Sequence, residues 1–261
     1  MRWTEDAEAR IKKVPFFVRR RVRRQVEQEA AAQGATAVDI THLEACRKRY
    51  MSDKHHQTKG YEIDQCFGAD QCPNRAVEFD NIYDRMEEVL KAKDLSGFLR
   101  DIIDGPVKMH HAFRVSISGC PNCCSRPQIV DFGLAGASVV HVTDEECVEC
   151  GLCVDACRED ALQLATNPIG PVIDHERCLM CGECAGVCTS GTLAVARRGF
   201  RVMFGGKLGR HPQLAQEISG VWSHDEVLEI LSRTVDHFKA HNRGGERLGD
   251  IINRTGLEFL D

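Results

Sequence analysis

"CVECGLCVDAC", residues 147–157, and "CLMCGECAGVC", residues 178–188, share one spacing, C-x2-C-x2-C-x3-C. Each run brings three thiols within seven residues and adds a fourth one helical turn later. Thiolates are soft ligands that select zinc or iron-sulfur clusters. Zinc is the alternative, and two intact four-cysteine runs about thirty residues apart weigh against it. The chain has 14 cysteines in 261 residues, dense for its length. A secreted disulfide scaffold would be shorter and would carry an export signal. The opening "MRWTEDAEARIKKVPFF" has no apolar h-region and no small-residue cleavage site. A cytoplasmic protein whose clustered cysteines hold metal is the expectation.

The paired runs resemble those of bacterial two-cluster ferredoxins. The resemblance implies two 4Fe-4S clusters with crossed ligation, the fourth cysteine of each run reaching the other cluster. Cys147, Cys150, Cys153 and Cys188 would hold one; Cys178, Cys181, Cys184 and Cys157 would hold the other. The proline that usually follows the fourth cysteine is replaced by Arg158 and Thr189. It shapes a turn and is not a ligand. Residues 141–190 carry 2 Lys/Arg against 10 Asp/Glu, a net of -8, which suits a small electron carrier with an anionic surface.

Outside this module six cysteines remain: Cys46, Cys66, Cys72, Cys120, Cys123 and Cys124. "CFGADQC", 66–72, is C-x5-C, and "CPNCC", 120–124, supplies a second pair as Cys120 with Cys123 or Cys120 with Cys124. Four thiols from two separated loops can close one further cluster. "AFRVSIS", 112–118, alternates Phe113, Val115 and Ile117 on one face, so the second pair leaves a strand that ends at Gly119. Arg114 falls on the opposite face, toward a pocket or solvent. "QIVDFGLAGASVVHV", 128–142, and "GFRVMFGG", 199–206, read as further strands and turns.

C-x5-C, then "SGCPN" with a cysteine at 124, then "DFGLAG" at 131–136, resembles the sirohaem-dependent sulfite and nitrite reductases. "GGKLGRHPQLAQEI", 205–218, and "HNRGGERLGDIINRTGLEFL", 241–260, resemble the end of the same module. The resemblance implies a third 4Fe-4S cluster on Cys66, Cys72, Cys120 and Cys124. Cys124 would also bridge to a sirohaem iron, and Cys123 would be a bystander. Sirohaem carries carboxylates and the substrate is a small oxyanion, sulfite or nitrite, so cations are required. Arg75 and Arg126 are candidates for the cofactor; Arg114, Lys207 and Arg210 are candidates for catalysis. Lys59, Lys108, His110 and His111 are further candidates to face the pocket and supply protons.

The head differs in character. Residues 1–50 carry 12 Lys/Arg against 7 Asp/Glu, a net of +5. Val14, Val18, Val22, Val26 and Ala30 make a helical stripe flanked by Arg19, Arg20, Arg21, Arg23 and Arg24. A second helix is expected near Ile40–Met51. No aromatic residues interleave the arginines, so a solvated helix face is favoured over nucleic acid. This stretch resembles the small helical domain of a light-independent protochlorophyllide reductase subunit. It stands where sulfite reductase modules usually carry a substrate-binding half-domain, so a homodimer or a partner subunit is expected to complete the site.

The rest follows from periodicity. Residues 52–75 read as a polar loop, and 80–104 as helix through Ile82, Met86, Val89, Leu90, Leu95, Leu99 and Ile102. Residues 223–241 form an amphipathic helix with a Ser223/Glu226 capping box, and a short helix follows from Leu248. With 43% hydrophobic residues, a net charge of -5 and no bilayer-length apolar run, a soluble protein with no membrane partner is expected. The fold expected is α+β: a helical domain at 1–50, a sirohaem/4Fe-4S module at 51–140 and 191–261, and a two-cluster ferredoxin inserted at 141–190. The function expected is six-electron reduction of sulfite, or of nitrite, fed by an electron-donor protein. The alternative is a non-catalytic iron-sulfur electron-transfer subunit.

Overall fold

The computed structural model describes residues 1–56, 59–67, 72–166 and 169–260, with the backbone alone for 50–56. Two compact units are present: Met1–Thr58 with Pro106–Lys108, and Lys59–Gly105 with Met109–Asp261.

The first unit runs β1 (Arg2–Trp3), α1 (Glu5–Ile11), α2 (Phe16–Ala32), β2 (Ala37–Val38) and α3 (Ile40–His56). Its core is Ala7, Ile11, Val26, Ala30, Val38, Leu43 and Cys46, with Val14 and Val22 packed against it. The valine stripe therefore faces inward at its C-terminal end. Pro15 caps α2, and its missing N–H costs nothing there. Two of the five arginines have local structural work. Arg19 donates to the carbonyls of Lys12 and Val14 that end α1, and Arg23 pairs with Glu8 while lying 4.5 Å over the Trp3 ring. Arg20, Arg21 and Arg24 are exposed.

The second unit opens with β3 (Tyr61–Gln65), α4 (Ile82–Ala92), α5 (Leu95–Ile102), β4 (Phe113–Ser118) and β5 (Phe132–Val142). It continues with α6 (Leu152–Ala156), β6 (Leu162–Thr166), β7 (Ile169–Ile173), α7 (Glu183–Gly186) and β8 (Leu193–Phe204). β9 (Gln216–Glu217), α8 (His224–His241) and α9 (Leu248–Thr255) close it. Five strands form one sheet in the order β3-β4-β5-β8-β9, parallel over the first three and antiparallel after. β3 lies inside the stretch expected to be loop. Its "YEIDQ" is short and half polar, and pairing with β4 makes it a strand. Residues 57–58 and 68–71 of that stretch lie outside the described residues.

The helical stretch at 80–104 breaks at Asp94. That residue takes a left-handed conformation and accepts from the Gly97 N–H, starting a new helix. α4 and α8 pack together, and Phe238 of α8 meets Phe113 of β4 edge-on at 5.3 Å. The apolar face of β4 is thus the helix-covered one. Its other face is buried too. Ser116 donates to the Ser125 carbonyl at 2.7 Å, and Ser118 shares a 2.6 Å hydrogen bond with the Ser125 hydroxyl. The cysteine loop folds back over the strand it leaves, and serines supply the polar partners it needs.

β5 and β8 form a long hairpin, paired from Phe132↔Phe204 to Val142↔Leu193. Residues 143–192 project from its tip and carry the β6-β7 hairpin with α6 and α7. A small core of Val140, Cys153, Leu162, Cys184 and Leu193 joins the two parts.

Candidate functional site

The two cysteine runs have the same backbone. Glu149 and Met180 take left-handed φ of 53° and 59°, and Gly151 and Gly182 follow at 76° and 83°. Each turn then enters a short helix, α6 or α7, that buries the third cysteine, Cys153 or Cys184. The fourth cysteine accepts an N–H from the start of the next strand. Ala161 donates to Cys157 Sγ at 3.3 Å, and Leu193 donates to Cys188 Sγ at 3.3 Å.

Electrostatics groups the thiols across the repeat. Burial pushes the Cys153 thiol up, and Cys147 and Cys188 add repulsion. Burial pushes Cys184 to about 11, with Cys181, Cys178 and Cys157 contributing. Cys188 goes the other way: burial opposes ionisation, but N–H groups of Leu193, Gly191 and Ser190 and the Ser190 hydroxyl outweigh it. Cys157, Cys178, Cys181 and Cys184 all line one cavity of about 80 Å³. Its wall includes Asn74, Cys120, Pro121 and Asn122. Among the described residues no three His, Cys, Asp or Glu converge closely enough to hold a single metal ion.

The third group gathers around Cys120. Burial raises its thiol, the Asn122 N–H lowers it, and Cys72, Cys124 and Cys66 each raise it further. Backbone bonds bring the loops together: Cys66 N donates to Ile117 O and Ala76 N to Gly119 O, both at 2.9 Å. Cys123 has a φ of 51°. Burial raises its thiol, a hydrogen bond with Gln128 and the nearby Arg201 guanidinium lower it, and Cys120 and Cys124 raise it further. Cys124 is exposed.

The candidate cations are differently placed. Arg75 pairs with Glu78 at 2.8 Å, Arg114 with Glu62 at 3.4 Å, and Lys207 with Asp250. Arg126 and Arg210 are exposed, without an ion pair among the described residues. Lys59 pairs with Glu87 at 2.6 Å. The His110 and His111 rings touch each other, 4.2 Å apart, and Lys108 belongs to the first unit. Two residues with larger roles escaped sequence reasoning. Arg247 grips the buried Asp131, and the buried Ser138 hydroxyl donates to the Ala76 carbonyl at 2.6 Å. "DFGLAG" pointed to Asp131 as a motif residue but not to its partner.

Residues 65–260 match the family model described as "Nitrite and sulphite reductase 4Fe-4S domain". The chain belongs to the nitrite and sulphite reductase 4Fe-4S domain family. Residues 3–47 match "Proto-chlorophyllide reductase 57 kD subunit". The family member is 36% identical over 158 residues to the coenzyme F420-dependent sulfite reductase of Methanocaldococcus jannaschii, covering 58% of this chain and 24% of that protein. It is 31% identical over 153 residues to a subunit of the anaerobic sulfite reductase of Salmonella typhimurium, covering 56% of this chain and 45% of that one. Over 40 residues, 15% of this chain and 8% of the relative, it is 48% identical to a subunit of the light-independent protochlorophyllide reductase of Pelodictyon phaeoclathratiforme. The chain thus spans a quarter to a half of the sulfite reductase relatives it matches. Among the described residues no helix is long and apolar enough to cross a membrane.

Proposed function

We propose that this chain is the cluster-bearing part of a sirohaem-dependent sulfite reductase, reducing sulfite to sulfide with six electrons, nitrite to ammonia being the related reaction. One observation carries the reading. The cavity lined by Cys157, Cys178, Cys181 and Cys184 is also lined by Cys120, Pro121 and Asn122, so thiols from two unrelated motifs face one cavity. That arrangement suits delivery of electrons from the 141–190 ferredoxin insert to the 51–140 and 191–261 module. A cytoplasmic setting fits the thiol content.

The donor sets fit three 4Fe-4S groups. Cys147, Cys150, Cys153 and Cys188 would hold the first, Cys157, Cys178, Cys181 and Cys184 the second, and Cys66, Cys72, Cys120 and Cys124 the third. Backbone N–H groups donate to Cys157, Cys178 and Cys188 Sγ, and at Cys188 they favour the thiolate form such ligation needs. The exposed Cys124 would be the thiolate that holds sirohaem, with Arg75 and Arg126 to meet its carboxylates. When bound, the clusters supply one-electron transfer, and sirohaem supplies an iron at which the oxyanion is reduced.

The remaining work falls to side chains. Arg114, Lys207 and Arg210 would orient the oxyanion and stabilise charge as oxygens leave as water. Arg114 and Lys207 hold Glu62 and Asp250, so admitting substrate means exchanging a carboxylate for it. Three of the five candidate cations, Arg75, Arg114 and Lys207, already hold carboxylates of this chain. This favours completion of the site by a second copy or a partner subunit, beside an electron-donor protein.

The same engaged cations favour a second reading, a non-catalytic electron-transfer subunit. Anaerobically purified protein from sirohaem-competent cells separates the two. The enzyme reading requires a Soret band, a long-wavelength sirohaem band, and oxidation of reduced viologen by sulfite or nitrite. Cluster absorbance with no haem band and no turnover would establish the second.

A further inference from the structure

We propose that Ser138 is a positioning residue that fixes the insert's second cysteine loop against the Cys120 loop, and so sets the separation of the iron-sulfur groups those loops would hold. This rests on the reading above that both loops are ligand loops. Ser138 lies on β5 and is 2% exposed. Its backbone N–H donates to the Met180 carbonyl at 2.7 Å. Its hydroxyl donates to the Ala76 carbonyl at 2.6 Å. Met180 stands between Cys178 and Cys181, and Ala76 follows Cys72 by four residues. Ala76 in turn donates its N–H to the carbonyl of Gly119, beside Cys120. One strand residue therefore ties a loop of the insert to both cysteine loops of the main module.

The neighbours of Ser138 fit this role. Gly182 sits directly against it, and a Cβ at that glycine would lie 2.8 Å from the Ser138 Cβ. With φ at 83° and no side chain, Gly182 lets the Cys181–Cys184 turn approach the strand. The strand around Ser138 is apolar and buried, including Ala135, Ala137 and Val140. A buried hydroxyl in such a strand is accommodated only if its hydrogen bond is made, and Ala76 provides the acceptor. Transfer of an electron between two groups falls steeply with their separation. A residue that fixes the separation therefore acts on the rate without touching either group.

The test uses the full-length, anaerobically purified, iron-loaded protein and its Ser138→Ala and Gly182→Ala variants. Ser138→Ala deletes the bond to Ala76; Gly182→Ala pushes the turn away from the strand. Three readouts apply: iron content, spin-spin coupling between reduced clusters in electron paramagnetic resonance, and the rate at which reduction of the insert passes to the third group. We expect unchanged iron in Ser138→Ala, weaker coupling, a severalfold slower internal rate, and faster amide exchange at Ala76 and Gly182. Gly182→Ala should change coupling and rate in the same direction. Wild-type coupling and rate in both variants, or a lowered melting temperature as the sole change, overturns the positioning role. Wild-type protein with no cluster at either loop overturns the ligand reading, and the positioning role with it.

Discussion

Arg247 meets the wholly buried Asp131 with two parallel hydrogen bonds, Nε to Oδ1 at 3.0 Å and Nη2 to Oδ2 at 2.7 Å. The same carboxylate accepts the N–H of Arg114 on β4 and of Leu248 at the start of α9. It therefore joins the strand before the cysteine loop to the C-terminal helix. Its negative charge also sits at a helix N-terminus, where it is favoured. Removing Arg247 leaves the Asp131 charge buried without its counter-ion. Arg247→Ala is expected to destabilise the second unit by about 3–5 kcal/mol. Asp131→Asn should approach that, because it keeps the shape but loses the charge. Chemical denaturation followed at the second unit checks both; an effect near that of a surface ion pair would refute the assignment.

Cys123 and Cys124 both lie near Cys120, but of the two it is Cys123 that has Gln128 and Arg201 beside it. Cys123 has a φ of 51°, and Cys124 joins Cys66 and Cys72 around Cys120. Cys123→Ser should keep the full iron content and an unchanged cluster spectrum. On the proposed three-cluster reading, Cys120→Ser and Cys124→Ser should each lose the third cluster while the insert keeps its two. Loss of that cluster from Cys123→Ser would exchange the roles of the neighbours.

This division shows what was legible in the sequence. The spacing of the two four-cysteine runs is local, and their repeated left-handed turns at Glu149 and Met180 follow from it. Local too are the Ser223–Glu226 capping box and the inward face of α8 with Val227, Ile230, Leu231, Val235 and Phe238. β4 was readable from its alternation, but not the burial of Ser116 and Ser118, which a folded-back loop creates. β3 was missed because its partner strand, not its composition, makes it a strand. The partners of the candidate cations were not legible, for the same reason. Asp250 is 43 residues from Lys207 and Glu62 is 52 from Arg114, so nothing nearby announces that each is engaged.

Gly136 shows how tightly the cysteine loop lies on the sheet. A Cβ there would run into the carbonyl of Gly119, the residue before Cys120, and the Val77 side chain. Gly136→Ala should destabilise by about 1–3 kcal/mol, as overpacking does, and should displace the Cys120 loop. We expect the third cluster to become more easily lost to a chelator while the insert's clusters resist. Equal lability of all three would show that the contact carries no load on that loop.

His237 stacks on Phe259, ring centroids 4.2 Å apart and planes 16° from parallel, and shares a 2.9 Å hydrogen bond with the Thr255 hydroxyl. Burial lowers its pKa from 6.5, and the nearby His241 and Arg254 lower it further. The unfolded chain thus binds a proton more readily than the folded one. Stability from this site is complete above about 6.5, falls as the pH drops from there to the folded value, and levels off below it. The last turn, Glu258–Leu260, should loosen over that window. Amide exchange at Phe259 and Leu260 against pH reads it, and His237→Gln should flatten the profile. An unchanged acid limb in His237→Gln would remove the imidazole as its cause.

On the proposed reading the insert depends on its clusters for stability. Its core is Val140, Cys153, Leu162, Cys184 and Leu193, so two of five members are themselves candidate ligands. One hairpin of two five-residue strands and two helices of five and four residues are its only regular elements between β5 and β8 among the described residues. A segment this small does not bury enough apolar surface to stand without a staple. Burial and mutual repulsion hold Cys153 and Cys184 as neutral thiols, so the thiols offer no attraction of their own to hold the turns together until a cluster binds. Stripping iron should therefore unfold residues 144–190, while the five-stranded sheet, with its own phenylalanine core, stays folded. Limited proteolysis of iron-free protein should cut within 144–190 and leave fragments from either side associated through the β5-β8 pairing. Full protease resistance of the iron-free insert would mean that its hairpin and core suffice, and that the thiols contribute packing rather than ligation to its stability.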